Sequence, residues 1–285
     1  MFRITDLLAA GTTFSFEFFP PRDEREQRLL SAAIHDLEPL HPSFVSVTYR
    51  GGAVSRERTT AVVADLLKTT TLTPMAHLTC VAHPRFELGE IMGGFRALGM
   101  ENLLALGGDP LPSEQSYGEL RYAYELVALG RRLGFASIGV AAHPAGHPRS
   151  PDRGSDRVNL AAKLALADFA ITQFFFKVEE YLKLRDELAA LGITKPIVAG
   201  IMPITSLVSA QRMAELSGYA VPEDIVRRVT AGGDDPEEIR SRGIEVAAEL
   251  CAQLLEAKVA GLHFYTLNFS KATREVYAKL GLVTA

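Results

Sequence analysis

A single glutamate in an aromatic run, SFEFFPP, is the first residue of this chain whose setting suggests chemistry. Glu17 lies between Phe16 and Phe18. Burial of a carboxylic acid favours its protonated form, the form a general acid needs. The competing reading is a carboxylate neutralised by a Lys or Arg on a neighbouring strand. Thr48 and His77 stand at matching late positions in FVSVTY and MAHLTCV, where each can meet a ligand or be satisfied within the core. Asp109 follows ALGG. Gly107 and Gly108 allow a ligand close to the backbone, and Asp109 suits a cationic ring or, more plainly, a turn or helix cap. Gln173 interrupts ITQFFF, and a buried amide there needs partners from a ligand or from the next strand.

Other patterns are weaker. His143 and His147 in AAHPAGHP are four residues apart, but the intervening Gly and Pro break the helix that would turn both toward one metal. No Cys or acidic third ligand is adjacent, so no metal site is assigned. No GxSxG, P-loop or HExxH pattern occurs, and LGGDP is too short to specify a phosphate loop.

The elements that must position these residues follow from periodicity. Strand-like runs cover 13–19, 44–49, 75–81, 102–108, 137–143, 170–176, 196–202 and 261–267. Between them, EREQRLLSAAIHDLEPL, VSRERTTAVVADLLKTT and VEEYLKLRDELAALG repeat apolar residues at helical spacing. Gly99, Gly134 and Gly192 follow helical runs as left-handed caps would. Eight such units predict a single (β/α)8 TIM barrel over residues 1–285. A doubly wound sheet should carry a glycine-rich turn after its first strand, where this chain has FFPP. Extra helices between the seventh and eighth strands are expected, joined at GGDD with Asp235 as cap and Pro236 as first helical residue. In a barrel of this kind chemistry sits at the C-terminal strand ends, where the polar residues above fall.

Composition narrows the classes of function. The 285 residues hold 30 Lys plus Arg against 34 Asp plus Glu, which offers no basic field for nucleic acid. Two cysteines, Cys80 and Cys251, make neither a disulfide framework nor a metal clip. The N-terminus does not read as a secretion signal, and no apolar run nears the ~20 residues of a membrane span. The expectation is a cytoplasmic enzyme with no nucleic-acid or membrane partner. A homo-oligomer is compatible with the sequence, which does not fix the number of copies.

SFEFFPP, FVSVTYRGG, HLTC, LLALGGD, ITQFFF and HFYTLN, in this order and spacing over roughly residues 12–283, resemble the 5,10-methylenetetrahydrofolate reductase family. The resemblance implies a (β/α)8 barrel that reduces the methylene bridge of a folate to a methyl group with hydride from NADH or NADPH, usually through FAD. It implies that Glu17 protonates the folate so that its five-membered ring opens to a 5-iminium cation. It further implies that Asp109 favours that cation, that Gln173 hydrogen-bonds the pterin, and that Tyr265 lines the folate pocket. Cofactor contacts are implied for Thr48, His77, Gly108, Asp109, His143, His147, Asp156, Asn159 and Lys163.

The departures concern the flavin. Where family members that hold FAD read LRGD, this chain reads LGGD, so Gly107 replaces an arginine. In DRVNLAAK, Ala162 stands at a second arginine position, and His143 replaces a tyrosine. Guanidinium groups pair well with a diphosphate. Losing two, at ~1.5–3 kcal/mol per charged hydrogen bond, weakens affinity by about two to four decades. Lys163, His147 and Arg157 are the neighbours that could supply charge instead. The expectation is direct transfer from NADH or NADPH with FAD bound weakly or not at all. Ping-pong transfer through FAD, a deazaflavin-dependent pterin reductase and a non-catalytic folate-binding barrel are the rivals. A third departure, Phe269 where an arginine often follows HFYTLN, bears on the folate's glutamate tail, for which Lys271 or Arg274 could substitute.

Overall fold

The computed structural model describes residues 2–49, 53–81, 83–109 and 118–282. Arg50, Gly51 and Gly52 of the second motif, Pro110 of LGGDP and Val283–Ala285 lie outside them. Eight strands pair in parallel in chain order: β1 (Thr13–Phe18), β2 (Phe44–Val47), β3 (Pro74–Thr79), β4 (Asn102–Leu106), β5 (Ser137–Ala142), β6 (Phe169–Thr172), β7 (Ile197–Ile201) and β8 (Gly261–Tyr265). β8 closes on β1 with Ser15 opposite His263 and Glu17 opposite Tyr265. The expected (β/α)8 barrel is therefore the architecture found.

The helices are α1 (Ile4–Ala10), α2 (Glu24–Leu37), α3 (Ala53–Thr69), α4 (Arg85–Ala97), α5 (Ala123–Arg132), α6 (Arg153–Leu166), α7 (Val178–Ala190), α8 (Leu207–Leu216), α9 (Glu223–Val229), α10 (Pro236–Glu256) and α11 (Lys271–Lys279). Their starts are marked chemically: Asp23 accepts from the Glu26 amide at 2.8 Å and Asp152 from the Ser155 amide at 2.7 Å. Gly99, Gly134 and Gly192 take φ values of 82°, 84° and 79°, as capping glycines must. α9 and α10 are the expected pair around GGDD, and Pro236 opens α10, although the Asp235 side chain makes no cap bond. Sequence reading missed α1 and α8. α1 precedes the first strand and closes the N-terminal end of the barrel: the Ile4 amide donates to Asn102 Oδ1 at 3.0 Å and the Thr5 amide to Ser137 Oγ at 3.2 Å.

Alternation along the strands separates two interiors. Phe16, Phe18, Val45, Val47, Leu78, Leu103, Val140 and Phe264 face the helices and form the main core. Phe44, Met75, Leu104, Phe169, Ile171 and Val198 point into the barrel above Ile4. Each fully buried side chain of this size contributes roughly 1.5–3 kcal/mol, so both cores favour the same register. The expectation that Phe16 and Phe18 wall in Glu17 is corrected here. Their side chains leave the strand on the opposite face, and Glu17 is buried by the barrel interior itself. No helix among the described residues is long and apolar enough to cross a membrane.

Candidate active site

Register brings Glu17 to the C-terminal half of the barrel interior. Phe44, Ser46 and Thr48 share one face of β2 and its continuation; Ser15 and Glu17 share the inward face of β1. Glu17 is 6% exposed, and its Oε2 lies 3.6 Å from Nε2 of both His77 and His263. The expected neutralising Lys or Arg is replaced by two imidazoles. Burial pushes the His77 pKa down to about 4, with Glu17 pulling it back and His263 adding to the shift, so this ring is uncharged near neutrality. His263 is fully buried, with Nδ1 2.8 Å from Ser15 Oγ and Nε2 3.2 Å from Ser46 Oγ. It stacks on Phe44 with ring centroids 5.9 Å apart.

Beside Glu17, the mouth of the barrel holds unused polar atoms. Thr48 Oγ1, His77 Nε2 and Thr79 Oγ1 are buried and lack a hydrogen-bond partner among the described residues. Buried polar atoms without partners cost ~1–3 kcal/mol each, so three on adjacent strands mark a place for a polar heterocycle. Gly108 completes that wall at φ 83°, where a Cβ would collide with Val81 and Thr79. Gly107 differs: a Cβ there would meet only the Arg121 carbonyl oxygen, at 3.8 Å. Sterics do not impose glycine at 107.

The β5–α6 loop supplies the opposite wall. The His143 and His147 rings meet edge to face at 4.6 Å. Burial, reinforced by His147 and Lys163, lowers the His143 pKa to about 3, and burial with Arg149 and Lys163 lowers that of His147. His147 Nδ1 accepts from the Arg149 amide at 3.1 Å, which leaves the ring proton of neutral His147 on Nε2. Asp156 braces the loop by accepting from the His147 amide at 3.0 Å and from Ser150 Oγ at 3.3 Å. Arg157 is committed to the loop as well, donating to the His143 and Pro144 carbonyls at 3.0 and 2.6 Å and to Glu187 at 2.6 Å. It is therefore not a substitute for the missing arginines. Lys163 donates to the Ala141 carbonyl at 2.9 Å, and burial lowers its pKa to about 8. Asn159 is exposed on α6, as is Ala162.

Arg149 was not singled out by sequence. Its Nη2 donates to the Gly108 carbonyl at 3.0 Å and lies 3.5 Å from Asp109 Oδ1. A guanidinium thus reaches the end of β4 from a different loop than the one carrying Gly107. The Asp109 side chain is 93% exposed and keeps its carboxylate open to a ligand.

Gln173 lies one residue beyond β6, not within a strand as expected. Its amide donates to the Ala142 carbonyl at 2.7 Å, and its Oε1 accepts from the Phe174 amide at 3.0 Å. Pairing ends there because Phe174 and Phe176 turn into a separate apolar cluster with Met202 and Ile204. The Tyr265 hydroxyl donates to the Thr172 carbonyl at 2.7 Å, which fixes the ring across the ends of β6–β8. Burial raises its pKa well above that of an ordinary tyrosine, so it remains a donor. Gly200 makes this possible: a Cβ there would overlap the Thr172 carbonyl and lie 2.7 Å from the Tyr265 ring.

Comparisons with known proteins agree with this architecture. Residues 3–281 match the sequence profile of the family Methylenetetrahydrofolate reductase. The chain is 37% identical over 269 residues to a 5,10-methylenetetrahydrofolate reductase of Pectobacterium carotovorum subsp. carotovorum, covering 94% of this chain and 90% of that one. It is 35% identical, with the same coverage, to the protein of that name from Escherichia coli (strain K12). Among solved structures, a Clostridium thermocellum protein that binds two copies of 5-methyl-5,6,7,8-tetrahydrofolic acid superposes with a TM-score of 0.68 at 11% identity, covering 97% of this chain and 96% of that one. Dihydropteroate synthase from Thermus thermophilus follows at 0.53 and 16%, covering 96% and 95%. At these identities the two structures speak for the fold alone.

Proposed function

The chain belongs to the methylenetetrahydrofolate reductase family, and from that premise we propose that it reduces 5,10-methylenetetrahydrofolate to 5-methyltetrahydrofolate with hydride taken directly from NADH or NADPH. The observation that carries the reading is Glu17, a carboxyl group in a closed polar pocket at the barrel mouth, bordered by two imidazoles and by three polar atoms in want of a ligand.

Glu17 gives its proton to N10 of the folate as the bond from N10 to the methylene carbon breaks, and the electron pair of that bond stays on N10. The lone pair of N5 then forms a double bond to the methylene carbon, leaving a cation at N5. Asp109 provides the opposite charge, which favours that cation over the closed ring. Hydride from the dihydronicotinamide adds to the methylene carbon and yields the methyl group. One proton and one hydride enter, and the oxidised nicotinamide leaves. Gln173 presents its amide nitrogen to the pterin, since its oxygen is held by Phe174. Tyr265 forms the apolar floor under the ring.

The chain's own residues fall short of what a resident flavin takes. Thr48, His77 and Thr79 suit the polar edge of a flat ring of either kind. A tightly held diphosphate is another matter, with glycine at 107, alanine at 162 and Arg157 already bound within its loop. What remains is the pair Arg149 and Lys163, enough to hold the phosphates of a donor that must leave after each turnover. Direct transfer requires both substrates together, so initial-rate plots with NADH varied at several folate concentrations should intersect; parallel lines overturn it. Glu17→Gln should lower turnover by about 10²–10⁴-fold with folate affinity within a few-fold. Undiminished turnover in this variant removes Glu17 from its role.

A further inference from the structure

We infer that His263 is a positioning residue for Glu17: Ser15 and Ser46 hold its ring under the carboxyl group, and it acts on the reduction through Glu17 without touching folate. The inference rests on the proposed reductase activity.

The wall formed by β8, β1, β2 and β3 carries Ser15, Glu17, Ser46, His77 and His263, all buried. The facing wall is apolar, with Leu104, Ile171 and Val198 at comparable depth. Apolar side chains would fill the first wall without the desolvation cost that buried polar groups carry, so folding alone does not explain it. His263 is its centre. The ring is fully buried and clamped from three sides: Ser15 Oγ at 2.8 Å from Nδ1, Ser46 Oγ at 3.2 Å from Nε2, and Phe44 against its face. Tyr265 stands edge-on above it, with centroids 5.6 Å apart. Serine hydroxyls can donate or accept, so the clamp holds the ring in either tautomer.

The clamp leaves Nε2 facing one further group, Glu17 Oε2 at 3.6 Å, with His77 Nε2 at the same distance on the other side. With Oε2 bracketed by two ring nitrogens at the barrel floor, the other carboxyl oxygen is the one free to meet substrate. A carboxyl group with one oxygen fixed this way has one orientation at the mouth. A proton transfer that depends on hydrogen-bond reach is sensitive to that orientation. Sequence reading passed over His263 because a histidine in an apolar strand reads as core. The signal was its parity with Tyr265, two residues on.

The test separates the two ring nitrogens. Asn at 263 places its amide near Nδ1, where it can still meet Ser15; Gln extends one near Nε2, toward Glu17. In His263→Asn, kcat with methylenetetrahydrofolate should fall by about ten- to a hundredfold, while the donor KM and folate affinity stay within about twofold. His263→Gln should recover most of that loss, whatever the two variants' melting temperatures. An Asn variant within about threefold of wild-type kcat overturns the inference. Equal losses in Asn and Gln that track stability, or a loss of folate affinity in step with kcat, overturn it too. If the Asn variant does not fold, Ser46→Ala serves instead: it should lower kcat by several-fold at unchanged KM, and unchanged kcat sinks the inference. Wild-type protein that binds folate but does not reduce it would instead overturn the proposed activity, a separate failure visible before any variant is made.

Discussion

Replacing Arg149 by alanine sets two effects of opposite sign against each other. The guanidinium donates to the Gly108 carbonyl and lies 3.5 Å from Asp109, with its side chain 46% exposed. A charged hydrogen bond to a donor phosphate is worth ~1.5–3 kcal/mol when shielded. Half-exposed and screened, Arg149 should supply about 1 kcal/mol, a roughly fivefold rise in the KM for NADH when it is removed. The second effect concerns Asp109. A unit-charge pair at this separation in water-like surroundings is worth about 1 kcal/mol at most. Without Arg149, that part of the Asp109 field acts on the folate cation, so kcat should hold or rise by up to about fivefold. The assay is steady-state NADH oxidation with each substrate varied, together with NADH binding in the absence of folate. Arg149→Lys should fall between, because an ammonium keeps the charge but not the two-pronged geometry. An unchanged donor KM, or a kcat that falls in parallel with NADH affinity, would refute the reasoning.

Two further outcomes follow from the same geometry. Lys163 is charged below its lowered pKa and neutral above it, so the donor KM should climb as the pH rises through about 8 while the folate KM stays level. Lys163→Arg should flatten that climb, and a wild-type donor KM indifferent to this pH range counts against a phosphate role. Gly200→Ala should destabilise the protein by about 1–3 kcal/mol, because the added methyl group overlaps the Thr172 carbonyl and the Tyr265 ring. Chemical denaturation measures the stability and titration the expected loss of folate affinity; an unperturbed variant would show that Tyr265 does not need this position.

The barrel was legible because parallel strands read as short apolar runs and the helices between them keep their own period. The inward set was legible from parity: Glu17 opposite Tyr265 on β8, with His77 and Thr48 on successive strands. What escaped was set by contacts that have no period. Arg149 reaches Gly108 only because Asp156 ties down the His147 and Ser150 turn, a fold of the loop that spacing does not encode. Arg157 reads as available charge in the sequence, and its bonds to two loop carbonyls remove it. Gln173 passed for a strand residue because the three phenylalanines after it share the strand's composition while packing into two different clusters. α1 was missed because its seven residues carry too short a pattern to register a period.

The central claim is that the hydride passes from nicotinamide to folate without an intermediate carrier. It is tested most directly by single turnover with NADH deuterated stereospecifically at C4 on the transferred face, in ordinary water. Direct transfer predicts one deuterium in the methyl group of 5-methyltetrahydrofolate, retained in full, from protein that carries no flavin absorption. A methyl group that draws hydrogen from solvent, or that gains label only when flavin is supplied, would contradict it.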